Sequence, residues 1–301
     1  MIFILATQSE KTVNDVIRFL RLDSVEFIRK DIIAFNDYSL LLNLHKFDAL
    51  FSRKSIFKID FLLQIDNLTV VNYLVEELRT LFESSILELE TRKKNIGNYF
   101  LQERNKINHI NIARNAGLDT PKTVIVTEKK ELIKFKNVQG RIINKSIKNS
   151  FQIVNESISY YNHTECVTDE IIENIEDTFF PSLFQEELNK SFELRIVFVN
   201  TCLWTMAIFS QNDEKTKVDL RNYNLDKPNR KVPFILPDRI KRKVIKFIGL
   251  SGLNIGAIDM VVTRDNRYVF LECNPNGQIN MVSENCNYPI EKYIAEQLSK
   301  L

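Results

Sequence analysis

VFLECNPNGQ, residues 269–278, starts as an apolar strand and then sets a carboxylate, Glu272, and a side-chain amide, Asn274, two positions apart. Alternation along a strand puts both on one face, and Pro275 and Gly277 end the run. Just upstream lies a second strand-like stretch, AIDMVVT (257–263), joined to the first through Asp265 and Asn266. Asp and Asn at such a junction favour a tight hairpin. With those two residues as the tip, Arg264 faces Arg267, Val261 faces Phe270 and Asp259 falls directly across from Glu272.

Like charges opposite one another destabilise a sheet, and a bound divalent cation removes the conflict. Asp259, Glu272 and Asn274 form an all-oxygen donor set, which suits Mg²⁺ or Mn²⁺ better than zinc. Three protein donors do not close a cage, so waters and nucleotide phosphates would complete it. The same spacing also fits a solvated sheet edge or a register one residue away, and periodicity alone leaves these open. Only seven glycines occur, and four of them (Gly249, Gly252, Gly256, Gly277) bracket this hairpin. That clustering points to positions with special backbone needs.

The remaining composition narrows the class. The 301 residues are 44% hydrophobic and 27% charged, enough apolar material for a real core. A net charge of +2 gives no global attraction to nucleic acid or membranes. The opening MIFILATQSE has a short apolar run without a basic lead-in, so it reads as a strand rather than a signal peptide. RIVFVNTCLWTMAIFS is broken by Asn200 and two threonines, so no membrane span is expected. Cys166, Cys202, Cys273 and Cys286 lack C-x-x-C spacing, which indicates neither zinc nor a disulfide framework and makes a reducing cytoplasm the expected setting.

Along the chain, IFILA, TVNDVIRFLR and VEFIRKD read as strand, helix and strand, and FDALFS (47–52) as another strand. An amphipathic helix is expected from about Val70 to Lys94, with Leu74, Leu78, Leu81, Phe82 and Ile86 in one stripe. Gly97 marks a domain boundary. Asn105 can cap a helix that Gly117 ends with positive φ, and Pro121 leads into the strand TVIVT. RIINKS (141–146) is a short strand, DEIIENIED contains a helix, and LFQEEL and the two arms of RIVFVNTCLWTMAIFS are strands joined near Asn200. DRIKRKVIKFIGL and NYPIEKYIAEQL complete the pattern as helices. The class is α/β (α+β).

With Asp259, Glu272 and Asn274 in AIDMVV…YVFLECNPNGQ, the chain resembles an ATP-grasp ligase. More narrowly it is similar to the peptide maturases of the graspetide (microviridin-like) family, in the subgroup associated with a radical SAM/SPASM partner. NKINHINIARNAGLDTPKT, FPSLFQEELNKSFELRIVFV, KPNRKVPFILP, LNIGAIDMVV and SENCNYPIEKYIAEQL carry that resemblance. It implies an ATP-grasp fold divided into a pre-ATP-grasp α/β domain (1–97), a central subdomain (98–185) and a C-terminal subdomain (186–301). It also implies ATP and Mg²⁺ (or Mn²⁺) as cofactors, with Asp259, Glu272 and Asn274 holding the metal. Lys106 and Lys145 would contact phosphates, Gln185, Glu186, Glu187 and Leu188 would form the adenine hinge, and Glu193 would lie near the ribose. Arg195 and Arg221 would face the transferred phosphoryl group.

The implied reaction phosphorylates Asp or Glu side chains of a ribosomal precursor peptide (leader plus core) and joins them to Ser/Thr or Lys side chains. A homodimer and a SPASM partner enzyme are implied with it. One departure is plain: SIKNSFQIVNES has no glycine where such enzymes carry a glycine-rich lid, and Asn149-Ser150 would have to supply the tight turn. Two rival readings share the motif: a ligase adding amino acids to a peptide or protein, and a nucleotide-binding regulator without turnover. Nucleic-acid binding is disfavoured, because Ile240, Val244 and Phe247 make DRIKRKVIKF an ordinary amphipathic helix. His45, His109 and His163 are too scattered for a metal site.

Overall fold

The computed structural model describes residues 1–31, 33–34, 38–55, 59–60, 67–92, 94–103, 105–148, 152–154, 159–161, 164–212 and 228–300. The first unit comprises β1 (Ile2–Ala6), α1 (Lys11–Leu22), β2 (Phe27–Lys30), β3 (Ile33–Ala34), α2 (Tyr38–Leu41), β4 (Ala49–Arg53), β5 (Ile59–Asp60), α3 (Leu68–Arg92) and β6 (Lys94–Ile96). β2, β1, β4 and β6 form a parallel sheet in that order. As expected of a parallel sheet, β1 and β4 are buried throughout. The stripe expected on α3 exists, but full burial begins only at Phe82, continuing with Ile86 and Leu89.

The middle of the chain supplies α4 (Lys106–Asn115), β7 (Thr123–Glu128), α5 (Lys129–Gln139), β8 (Ile142–Lys145), β9 (Gln152–Val154), β10 (Ser159–Tyr161), β11 (Glu165–Cys166), α6 (Asp169–Asn174) and β12 (Thr178–Glu186). β11, β8, β12 and β7 make an antiparallel sheet, while β9 and β10 pair with each other. The side chain of Asn105 caps α4 by accepting from Asn108 N–H at 3.0 Å, and Gly117 follows the helix at φ +83°. Both roles are those read from the sequence.

The last third contains β13 (Lys190–Val199), β14 (Cys202–Phe209), β15 (Arg230–Pro233), α7 (Asp238–Ser251), β16 (Ile255–Thr263), β17 (Tyr268–Asn274), α8 (Asn280–Cys286) and α9 (Ile290–Ser299). Its sheet runs β15-β14-β13-β16-β17, antiparallel throughout. Asn200 turns β13 into β14 at φ +53°.

The two faces of this sheet have different fates. Leu194, Ile196, Phe198, Ile258, Met260 and Phe270 pack with α4 and α7 in one apolar cluster. On the other face Val197, Val199, Ile255 and Ala257 join Ile2, Ile4 and α1 of the first unit and α9 of the last. That second core crosses the boundary expected at Gly97.

The four glycines around the hairpin do different jobs. Gly252 closes α7 in the left-handed region at φ +70°. Gly256 and Gly277 keep an ordinary φ but have no room for a side chain: a Cβ at Gly277 would stand 2.6 Å from Ala257 Cβ and 2.8 Å from Arg195 Nη2. Gly249 has nothing within 4 Å of where a Cβ would lie, so neither requirement applies there.

Candidate active site

The cavity follows from strand alternation. On one face β13 reads Glu193, Arg195, Val197, Val199, and the paired β16 reads Val261, Asp259, Ala257, Ile255. The apolar half of this face is covered by the first unit. The polar half is uncovered and forms one wall of a cavity of about 530 Å³. Lys145 and the segment Gln185–Leu188, from the middle sheet and the strand end that follows it, also line the cavity.

Asp259 pairs with Glu272, as the sequence indicated, but by a different route. The turn is not a two-residue tip. Thr263 N–H donates to the Arg267 carbonyl at 3.0 Å, which leaves Arg264, Asp265 and Asn266 as the loop. Asn266 takes the left-handed position at φ +60°, as a three-residue hairpin requires. Pairing then runs Val262–Tyr268, Val261–Val269 and Met260–Phe270, so Val261 does not face Phe270. A bulge at Leu271 shifts the register by one, after which Asp259 meets Glu272 and Ala257 meets Asn274. The bulge also turns the faces: Phe270 is buried in the apolar cluster while Leu271 and Glu272 both line the cavity.

Each carboxylate already has a cationic neighbour. Arg195 Nη1 donates to both Asp259 oxygens, at 2.8 and 2.7 Å. Its Nε is buried without a hydrogen-bond partner. Lys106, at the start of α4, lies 3.7 Å from Glu272 Oε2 and donates to the Ser146 carbonyl. Asn274 Oδ1 accepts from Asn276 N–H at 3.0 Å, which fixes the amide. Glu193 Oε1 accepts from Lys190 Nζ at 2.8 Å and from Ser210 Oγ at 3.0 Å.

The segment Gln185–Leu188 is held by its neighbours. Gln185 is buried and donates through Nε2 to Thr123 Oγ1 at 3.1 Å. The Glu186 and Glu187 N–H groups donate to the Lys122 and Arg141 carbonyls, and Arg141 grips the Glu187 carboxylate with two bonds. Leu188 follows and lines the cavity outside those bonds.

The structure therefore brings together Lys145, Gln185, Glu186, Glu187, Leu188, Glu193, Arg195, Asp259, Glu272 and Asn274 around one cavity. Lys106 joins through its approach to Glu272. Arg221 and the Asn149-Ser150 segment lie outside the described residues. Lys54, Lys190, Asn276 and Gln278 also line the cavity and were not singled out from sequence. Asn276 and Gln278 lie in the turn after β17, where strand alternation no longer applies, and Lys54 carried no local signal.

Among the described residues no group of three or more His, Cys, Asp or Glu side chains assembles a metal site. A cation in this cavity would rest on Asp259, Glu272 and Asn274 with non-protein oxygens completing the shell, and that donor set fits a hard ion such as Mg²⁺. None of the described helices is long and apolar enough to cross a membrane.

Comparison with solved structures defines the architecture. The RiPP-associated ATP-grasp ligase of Chryseobacterium gregarium, in complex with ADP and a leader and core peptide, is similar with TM-score 0.81 and 20% identity over 99% of this chain and 96% of that one. Macrocyclase MdnC of Microcystis aeruginosa MRC, bound to precursor peptide MdnA, is similar with TM-score 0.76 and 23% identity, covering 99% and 98%. ATP-grasp ligase PsnB, complexed with a phosphomimetic variant of a minimal precursor, Mg and ADP, gives TM-score 0.71 and 16% identity over 99% and 97%. The chain thus has the ATP-grasp ligase fold along its whole length. No protein-family model and no curated protein matches it.

Proposed function

We propose that this chain is an ADP-forming ATP-grasp peptide ligase that forms ester or amide crosslinks within a ribosomal precursor peptide. The observation that carries the reading is the Asp259–Glu272 pair, with Asn274 beside it, on the wall of a cavity that the strand end Gln185–Leu188 also lines. Adenine would lie against Gln185, Glu186, Glu187 and Leu188, and the ribose near Glu193. Asp259, Glu272 and Asn274 would hold Mg²⁺ or Mn²⁺. The ion would supply charge neutralisation at the phosphates. Lys106 and Lys145 add compact positive charge there, while the Arg195 fork suits the transferred group. Arg221 is proposed with Arg195 in that role.

An Asp or Glu carboxylate oxygen of the peptide attacks the γ-phosphorus, the bond to the bridging oxygen breaks, and ADP leaves with the electron pair. A Ser/Thr hydroxyl or Lys amine then attacks the acyl carbon, loses its proton and expels phosphate. Positioning and electrostatics suffice for the first step, and no enzyme nucleophile is needed. Support comes from neighbours of the same fold that were solved with ADP and with leader, core or minimal precursor peptides. The domain division at 97 and 185, a homodimer, and a radical SAM/SPASM enzyme in the same pathway belong to this proposal.

The test is to incubate the chain with ATP, Mg²⁺ and the precursor peptide encoded beside it, and to follow ADP release and peptide mass. Loss of one water per crosslink is expected. An unchanged mass with no peptide-dependent ADP release overturns the reading.

A further inference from the structure

The N-terminal unit meets the cavity at one charged cluster. In its parallel sheet the chain passes from β1 outward to β2 and then back across β1 to β4 on the other side, and ligands of such sheets bind beyond the strand ends where that reversal occurs. Glu10 follows β1 at that point, Arg53 closes β4 and Lys54 follows it. Arg53 is fully buried: Nε donates to Glu10 Oε1 at 2.8 Å, Nη2 donates to the Gly277 carbonyl, and Nη1 is buried without a partner.

Lys54 sits in the left-handed region at φ +49°, which a lysine seldom adopts unless its surroundings impose it. Here they do. Its N–H donates to Asn276 Oδ1 at 3.1 Å and its ammonium to Glu10 Oε2 at 2.5 Å. The side chain is 41% exposed and lines the cavity.

Strand register orders the cavity wall. From the hinge it runs through Lys190 and Glu193 to Arg195 with Asp259 and Glu272, then to Asn274, and then to Asn276, which holds Lys54. Lys54 therefore stands on the side of the carboxylate pair away from the hinge. A nucleotide with its base at the hinge and its phosphates at the pair points its terminal phosphate towards this end. Around it are Arg53, Lys54 and Arg195 with the carboxylates of Glu10 and Asp259 that already bind them, and Lys106 with Glu272. Four cations against three anions leave a site suited to one more anion.

Resting on the function proposed above, we propose that Lys54 binds the side-chain carboxylate of the peptide before transfer and the acyl phosphate after it. An ammonium has three donors and Glu10 takes one of them, so the lysine stays fixed while it engages the substrate. Lys54 would thus be the contribution of the first unit to carboxylate recognition.

The test compares full-length wild type with Lys54→Asn, a residue that tolerates positive φ, and Lys54→Arg, which keeps the charge. MgADP affinity by calorimetry, peptide crosslinking kinetics and melting temperature are measured for each. Lys54→Asn should lower kcat/KM for the precursor by about tenfold or more, the loss of one charged contact. MgADP affinity and melting temperature should hold, and Lys54→Arg should recover most of the loss. Unchanged peptide kinetics, or an equal fall in MgADP affinity, overturns the assignment while leaving the ligase reading intact. A wild type that neither binds MgADP nor crosslinks the peptide overturns both.

Discussion

Arg53 and Gly277, 224 residues apart, are joined by a buried guanidinium donating to a main-chain carbonyl. The bond ties the end of β4 to the turn after β17, and Glu10 neutralises the charge it buries. Burial pushes the Glu10 carboxyl up, but Arg53 and the Lys54 hydrogen bond outweigh it and hold the group below its ordinary value. Arg53→Met strands Glu10 with Lys54 alone. Removing one partner of a buried pair costs about 3–5 kcal/mol, so denaturant unfolding should show a loss of that order. Glu10→Gln combined with Arg53→Met should lose less than the sum of the single changes. Additive effects would mean that the two groups do not act as a pair.

Gly97 and Gly277 are predicted to separate stability from catalysis. A Cβ at Gly97 would overlap the Ser52 carbonyl, and φ is +82° there. The obstacle is backbone and cannot yield cheaply, so Gly97→Ala should cost about 3 kcal/mol or more. At Gly277 the added atom meets Ala257 Cβ at 2.6 Å, held on β16, and the tip of Arg195 at 2.8 Å, which can move. Gly277→Ala should cost about 1–3 kcal/mol yet lose most ATP turnover, because Arg195 is displaced from Asp259. Paired thermal melts and ADP-release assays distinguish the two.

Glu272→Gln and Asp259→Asn should each lower peptide-dependent ATP turnover by about 100-fold or more, as expected when a charge that stabilises the reaction is removed. Their stabilities should differ. Asp259→Asn leaves the mostly buried Arg195 guanidinium facing an amide, whereas Glu272 is a more distant partner of Lys106. A larger fall in melting temperature for Asp259→Asn is the expected outcome, measured alongside circular dichroism to establish folding.

The carboxylate pair was legible in the sequence only because two one-residue errors cancel. A two-residue tip puts Asp259 opposite Glu272; the real loop has three residues, and the bulge at Leu271 restores the pairing. Nothing local distinguishes the two, since Asn266 suits either turn and bulges have no composition signal strong enough to place them. In the last sheet β13, β14, β16 and β17 were readable because each buries a continuous or alternating apolar face, whereas β15, with no buried residue, was not read as a strand. The stripe on α3 was readable, but its depth of burial depends on what packs against it. Lys54 was invisible for a related reason. Its role arises from Glu10 and Asn276, far away in the chain, and a lysine at a strand end has no pattern of its own.

Glu291 offers a test in pH. It is buried at the start of α9, where Oε1 accepts from Ser283 Oγ at 2.7 Å and from Asn280 Nδ2 at 3.0 Å. Asn280 also donates to Asp15 on α1, so the group helps join the first unit to the last. Burial pushes the Glu291 carboxyl above its ordinary value of 4.5, and the Ser283 hydrogen bond only partly offsets that. The folded chain therefore takes up a proton at a pH where the unfolded chain has already lost it. Stability from this group is greatest below pH 4.5, falls as pH rises towards the raised value, and is level above it. Glu291→Gln keeps an oxygen acceptor and removes the titration. Its denaturant midpoint relative to wild type should improve steadily across that window and then hold constant. A difference between the two proteins that is independent of pH from 4 to 8 would show that Glu291 has the same proton affinity folded and unfolded.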